Sequence, residues 1–119
     1  MQLELDQLLQ KARALESIQF DQLMAVINEH YDYQPTAFDN GLSDNRVVNL
    51  AGQNEGSCKL FAFAKLHQLD AMQTLNLFGE YYHRDVLEDP NGASHANIRA
   101  FIRDGWSGIE FSLQPLSSR

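Results

Sequence analysis

Apolar residues recur at helical spacing along the first part of the chain. Leu5, Leu8, Leu9, Ala12 and Leu15 fall on one stripe, with Gln7, Gln10, Lys11 and Arg13 elsewhere, which predicts a helix over about residues 3–16. Asp21 is placed to cap a second helix, whose broad apolar face of Leu23, Met24, Val26 and Ile27 runs to about His30. The short connection over residues 17–20 makes the two helices an antiparallel pair. The period then changes. Tyr31, Tyr33 and Phe38 are spaced as in extended chain, Pro35 blocks a central strand, and Asn40-Gly41 is a turn signal. Residues 47–50, Val-Val-Asn-Leu, are predicted to pair back as a short strand of a weak hairpin.

The next segment is apolar on nearly every side. Leu60, Phe61, Ala62, Phe63, Ala64 and Leu66 predict a helix over residues 58–67, capped by Ser57 and lying in the middle of the core. Asp70 and Gln73 have capping-box spacing and open a fourth helix, with Met72, Leu75, Phe78 and Tyr82 on one stripe and an end near Arg84. Pro90-Asn91-Gly92 is a turn. Ser94 is expected to cap a fifth helix carrying Ile98, Phe101 and Ile102 on one face, and Gly105 to end it in a left-handed conformation, with Trp106 folded back onto Phe101. Ile109 and Phe111 alternate with Glu110 and Ser112 as a final strand. The pattern describes an α+β, helix-dominated fold of about five helices packed with a small β element, with residues 1–119 forming one domain.

Composition narrows the function classes. At 119 residues with 44% apolar content, the chain is long enough to bury a core without staples. A net charge of -7 disfavours nucleic acid and anionic membrane surfaces, which attract clustered Lys and Arg, and leaves a basic partner or none. One cysteine cannot form an internal disulfide and suits a reducing compartment. The opening Met-Gln-Leu-Glu-Leu-Asp lacks the basic region of a secretory signal, and the apolar run over residues 60–64 is too short to span a bilayer.

Certain words in the chain resemble a known family. They are Ala51-Gly52-Gln53-Asn54-Glu55-Gly56-Ser57-Cys58-Lys59, Phe78-Gly79-Glu80-Tyr81-Tyr82, Asp85-Val86-Leu87, His95-Ala96-Asn97-Ile98-Arg99 and Gly105-Trp106-Ser107-Gly108-Ile109, together with Pro35-Thr36-Ala37-Phe38. Over nearly its whole length the sequence resembles the HopJ type III effector family. The resemblance implies a small bacterial protein of the bacterial cytoplasm, related to one delivered into plant cells by type III secretion. It carries over no catalytic residues.

Candidate chemistry centres on Cys58. A thiol at a helix start feels the positive end of the helix dipole, which favours thiolate, although a lone cysteine is more often buried and inert. The order Gly52-Gln53, Gly56-Ser57-Cys58 and then an apolar helix is similar to papain-like proteases, with Gln53 or Asn54 as oxyanion donor. The spacing is off by one residue, and the large β domain that supplies a histidine there is missing. His95, in the first turn of the fifth helix, is the candidate base. The same two helix starts could hold an anion with Ser57, Lys59 or Arg99. His83-Arg84-Asp85 lacks the offset and Gly-rich loop of a kinase, and residues 52–59 lack the Gly-Lys-Ser/Thr of a phosphate loop. Glu80 and His83, three apart, with Asp85 or Glu88 beside them, could ligate one metal. Carboxylate-bridged bundles need a second such pair from another helix, and none is present, so no metal or cofactor is expected. Tyr31, Tyr33, Tyr81, Tyr82 and Trp106 remain as anchors for a protein partner wherever they reach the surface. A small acidic protein-interaction module is the leading expectation, and a cysteine-dependent hydrolase or transferase using Cys58 and His95 the alternative.

Overall fold

The computed structural model describes residues 4–119; Leu3, the expected start of the first helix, lies outside them. Helix α1, Leu5–Arg13, is closed at its start by a reciprocal capping box between Glu4 and Gln7, and buries Leu8, Leu9 and Ala12. It stops short of the expected residue 16. Leu15 takes a left-handed φ of 58° and is thrown off the stripe into solvent. Helix α2, Phe20–His30, buries Leu23, Val26 and Ile27. Gln19 and Gln22 form its capping box, so the start falls two residues before the expected Asp21 cap.

α2 runs straight into strand β1, Tyr31–Tyr33, and Pro35 then separates β1 from β2, Phe38–Asn40. β2 is central in a three-stranded antiparallel sheet. One neighbour is β3, Val47–Asn49, which completes the expected hairpin; the other is β4, Ile109–Phe111. The register sets Phe38 opposite Asn49 and Phe111, and Asn40 opposite Val47 and Ile109. The hairpin turn needs glycine on two counts. Gly41 has a φ of 127°, and its N–H donates to Gly108 O at 2.9 Å across a gap so tight that a Cβ on Gly108 would lie 2.7 Å from Gly41 N. A strand that the alternation did not predict, β5 (Leu116–Ser118), pairs antiparallel with β1 as a second small sheet.

Helix α3, Glu55–Leu66, lies in the middle of the core as its all-round apolar pattern requires. Cys58, Leu60, Phe61, Ala62, Phe63 and Ala64 are buried, and the helix packs against α2, α4 and β5. Phe61 is the aromatic hub. Its ring lies 5.0 Å from Phe101, 5.5 Å from Phe78, 6.1 Å from Phe38 and 6.3 Å from Trp106, mostly edge to face. The cap is Asn54 in a left-handed conformation, φ 51°, and not Ser57, which sits inside the first turn.

Helix α4, Ala71–Asn76, has the expected Asp70/Gln73 capping box. The predicted continuation to Arg84 is broken at Gly79, whose φ of 60° passes so close to Ile18 O that a Cβ would stand 2.9 Å away. The chain resumes as a π-helical segment, Tyr81–Val86, in which Leu87 N–H reaches back five residues to Tyr82 O at 3.0 Å. Of the expected stripe, Met72 is exposed, while Leu75, Phe78 and Tyr82 are buried. Helix α5, Ala96–Asp104, begins after His95 rather than on a Ser94 cap, and Ile102 is exposed. Gly105 has the expected positive φ, 63°, and a 3-10 turn, Gly105–Gly108, carries Trp106 back onto Phe101 at 5.2 Å. The indole N–H donates to Leu69 O at 3.0 Å. The architecture is a helix-dominated α+β fold with small antiparallel sheets, and among the described residues no helix is long and apolar enough to cross a membrane.

One core contact sets an acid sensitivity. Tyr31 and His67 Nε2 share a hydrogen bond at 2.5 Å, and burial, followed by the Arg13 charge, holds the His67 imidazole below its ordinary 6.5. A base whose folded value is depressed binds fewer protons folded than unfolded. Its contribution to stability is complete above about pH 6.5 and is lost as the pH falls through the folded value. Thermal melts should therefore show midpoint temperature declining as pH drops below that point, well before carboxylates protonate. His67→Gln should flatten this limb, and an unchanged slope in the variant would contradict the assignment.

Candidate functional site

Tyr81 is the aromatic that the fold presents to solvent. It follows the break at Gly79, beside but not on the expected α4 stripe, and is 41% exposed. Its ring stands edge to face on Phe20 at 5.3 Å and tilts against the His95 imidazole at 5.2 Å. Clefts open on both sides of it. The larger, about 650 Å³, is walled by the α1–α2 connection and the Gly79 turn, including Leu15, Ile18, Asp21, Glu80, His83 and Arg84. The smaller, about 270 Å³, lies between the starts of α3 and α5, where Asn54, Gly56, Ser57, His95, Ala96 and Asn97 meet Phe20, Phe78 and Val47. Phe20, Phe78 and Tyr81 wall both.

Four asparagines hold the smaller cleft in shape. Asn97 Nδ2 donates to Asn49 Oδ1 at 3.0 Å and Asn49 Nδ2 returns a bond to Asn97 Oδ1 at 3.1 Å. Asn40 Nδ2 donates to the backbone and side-chain oxygens of Asn97 at 2.8 and 3.0 Å, and Asn54 Nδ2 to Asn49 Oδ1 at 2.7 Å. Asn40, Asn49 and Asn97 are buried, so the bonds among these three form where water cannot compete, while Asn54 joins them from the exposed rim and Asn40 Oδ1 has no partner among the described residues. The network ties β2, β3 and the starts of α3 and α5 into one unit. Periodicity treats asparagine as a turn residue and passes over it. The signal that was there is strand alternation: Asn40 is two residues from the buried Phe38 and so shares its inward face.

The side chains singled out in the sequence separate. Cys58 is 0% exposed, and its sulfur's hydrogen bond is a long one to Thr36 O at 3.7 Å. Burial pushes its thiol above the ordinary range, with the Glu55 carboxylate acting in the same direction, so the expected helix-dipole activation is outweighed. The Tyr33 hydroxyl, buried beside them without a hydrogen bond, is also pushed up by burial. His95 faces the other way: its Nε2 meets Asp85 Oδ2 at 3.1 Å. Gln53 accepts from Leu50 N–H in its own turn at 3.1 Å, and Asn54 belongs to the asparagine network. Lys59 reaches Asn28 and lies 4.7 Å over the Tyr33 ring, and Arg99 is spent on Ser94 O and Asp89 O at 2.5 and 2.8 Å. The two helix starts do face one cleft, but neither cation joins Ser57 there. Tyr31 and Tyr82 are core, and Trp106 is packed on Phe61 and Phe101.

The metal grouping of Glu80, His83 and Asp85 that the sequence left open does not form. π-helical winding takes residues three apart off a common face, so Glu80 pairs with Arg84 at 3.3 Å, His83 Nε2 with Asn76 Oδ1 at 2.8 Å, and Asp85 with Arg84 and His95. Among the described residues no three ligating side chains converge.

Comparison with known proteins agrees with the resemblance read from the sequence. A family model described as HopJ type III effector protein matches residues 5–116. A solved structure, the crystal structure of the unknown-function protein VPA0580, is 43% identical with a TM-score of 0.91, over 100% of this chain and 97% of that one. No curated protein matches.

The burial of Cys58 makes its reactivity a direct test. In the folded protein at neutral pH, iodoacetamide should alkylate it at least about tenfold more slowly than a free thiol, and at the free-thiol rate once denatured. Equal rates in the folded state would show an open sulfur.

Proposed function

The chain belongs to the HopJ type III effector family, and we propose that it works by binding a basic protein partner through the surface centred on Tyr81. The observation that carries this reading is the position of Tyr81, half-exposed on a ridge between two clefts and braced by Phe20 and His95. A braced tyrosine offers a large amphipathic contact at small entropic cost, the usual character of a binding anchor. Acids outnumber cations around it: Asp21 and Glu80 wall the larger cleft and Asp85 stands beside His95, against Arg84, which pairs with Glu80 and Asp85, on a chain of net charge -7. Such a surface steers and selects Lys- and Arg-bearing partners. Exposed Leu15 at the rim adds apolar area. The thiol alternative draws no support from Cys58, whose sulfur opens to neither cleft.

The family name is the reason a host protein is the first candidate, reached by type III secretion; a partner in the bacterial cytoplasm is the other. Affinity capture from plant and bacterial lysates with wild type, Tyr81→Ala and the remote Leu113→Ala tests the reading. A partner seated on Tyr81 should be lost at least about tenfold in Tyr81→Ala, be retained by Leu113→Ala, and weaken with salt. Equal capture by all three proteins would remove Tyr81 from the interface.

A further inference from the structure

We propose that the smaller cleft is a nucleophilic site in which Ser57 is acylated by a short-chain carboxylic ester, with His95 as its base and Asp85 as the residue that positions His95. The proposal goes beyond partner binding and does not rest on it. The Asp85–His95 contact is the starting point. A carboxylate only accepts, so the 3.1 Å contact fixes the proton of His95 on Nε2 and leaves Nδ1 as the nitrogen that can take another. Both side chains are about one-third exposed, 32% and 33%, open enough to meet a substrate. His95 holds a left-handed φ of 52° and Asn54, across the same cleft, one of 51°. They are the capping residues of α5 and α3, so the two helix starts both border this cleft.

Ser57 is the aliphatic hydroxyl that lines this cleft with His95; the other hydroxyl in the lining is the phenol of Tyr81. It precedes the sealed Cys58, so the helical turn that buries the thiol carries the serine to the cleft wall. Phe20, Val47, Phe78 and Ile98 supply apolar walls, and a space of about 270 Å³ suits a short acyl chain. No hydrogen bond joins Ser57 to His95 in the free protein, and the proposed step requires one to form when substrate enters.

The chemistry balances with water as the second reactant. Ser57 Oγ bonds to the ester carbonyl carbon as its proton passes to His95 Nδ1. The carbon–alkoxide bond breaks, and that proton leaves on the alcohol. Water then gives a proton to Nδ1 and attacks the acyl carbon, the Ser57 ester breaks, and Oγ recovers the proton as the carboxylic acid departs.

An alkyl fluorophosphonate and p-nitrophenyl butyrate test this on the full chain without any partner. The expected result is one phosphonate adduct, mapped to the peptide bearing Ser57 and absent from Ser57→Ala, with butyrate hydrolysis lost in parallel. His95→Gln should slow both by about 100-fold. Asp85→Asn, folded by circular dichroism, should shift the pH profile of hydrolysis as well as lower it, which a merely structural role would not do. No adduct on the folded protein, an adduct elsewhere, or hydrolysis persisting in Ser57→Ala would overturn the proposal.

Discussion

Asn49 and Asn97 exchange hydrogen bonds between their side-chain amides inside the protein, and the geometry of the site depends on that exchange. Each amide oxygen accepts twice: Asn97 Oδ1 from Asn49 and Asn40, Asn49 Oδ1 from Asn97 and Asn54. A buried polar group without a partner costs about 1–3 kcal/mol, whereas a satisfied one contributes about 1 kcal/mol net. The network therefore acts more by excluding alternatives than by adding stability. Any shift of β2, β3, α3 or α5 relative to the others would leave several amides unpaired together, which makes the arrangement specific.

That constraint divides the molecule into two parts with different physics. Around Phe61, rings from α3, the Phe78 turn, β2, α5 and the Trp106 turn interlock and bury Cys58 as one more apolar side chain. At the polar end, the asparagines hold two helix starts apart, and the π-helical segment brings Tyr81 and Asp85 against His95 across the gap. The core gives rigidity, and the polar end presents an anchor and clefts. Cys58 belongs to the first part, which is why the residue most conspicuous in the sequence is not at the surface that a partner would meet.

Much of the fold was legible because it follows from periodicity. The stripes of α1 and α2, the all-round apolar character of α3, the Asp70/Gln73 box and the return of Trp106 onto Phe101 all rest on local patterns that tertiary packing reinforces. Helix starts were less legible. Asp21 outranks Gln19 as an isolated cap, and Ser57 and Asn54 rank alike, so preference does not choose between them; Asn54 is fixed by its bond to Asn49 and by a left-handed backbone that asparagine tolerates. β5 escaped notice because Leu116 is its one apolar residue, and its pairing is set by β1, more than eighty positions earlier. The site was legible in fragments. Tyr81, Ser57 and His95 could be named from the sequence, whereas the Asp85 contact and the asparagine network join residues distant in sequence and have no periodic trace.

Amide hydrogen exchange on Asn49→Ala tests the organising role of the network most directly. If the asparagines hold the cleft as a unit, protection should fall together by at least about tenfold in β2, in β3 and in the first turns of α3 and α5, while the amides of α2 around Leu23–Ile27 keep theirs. Loss confined to the β2–β3 hairpin, with the starts of α3 and α5 unchanged, would contradict the account.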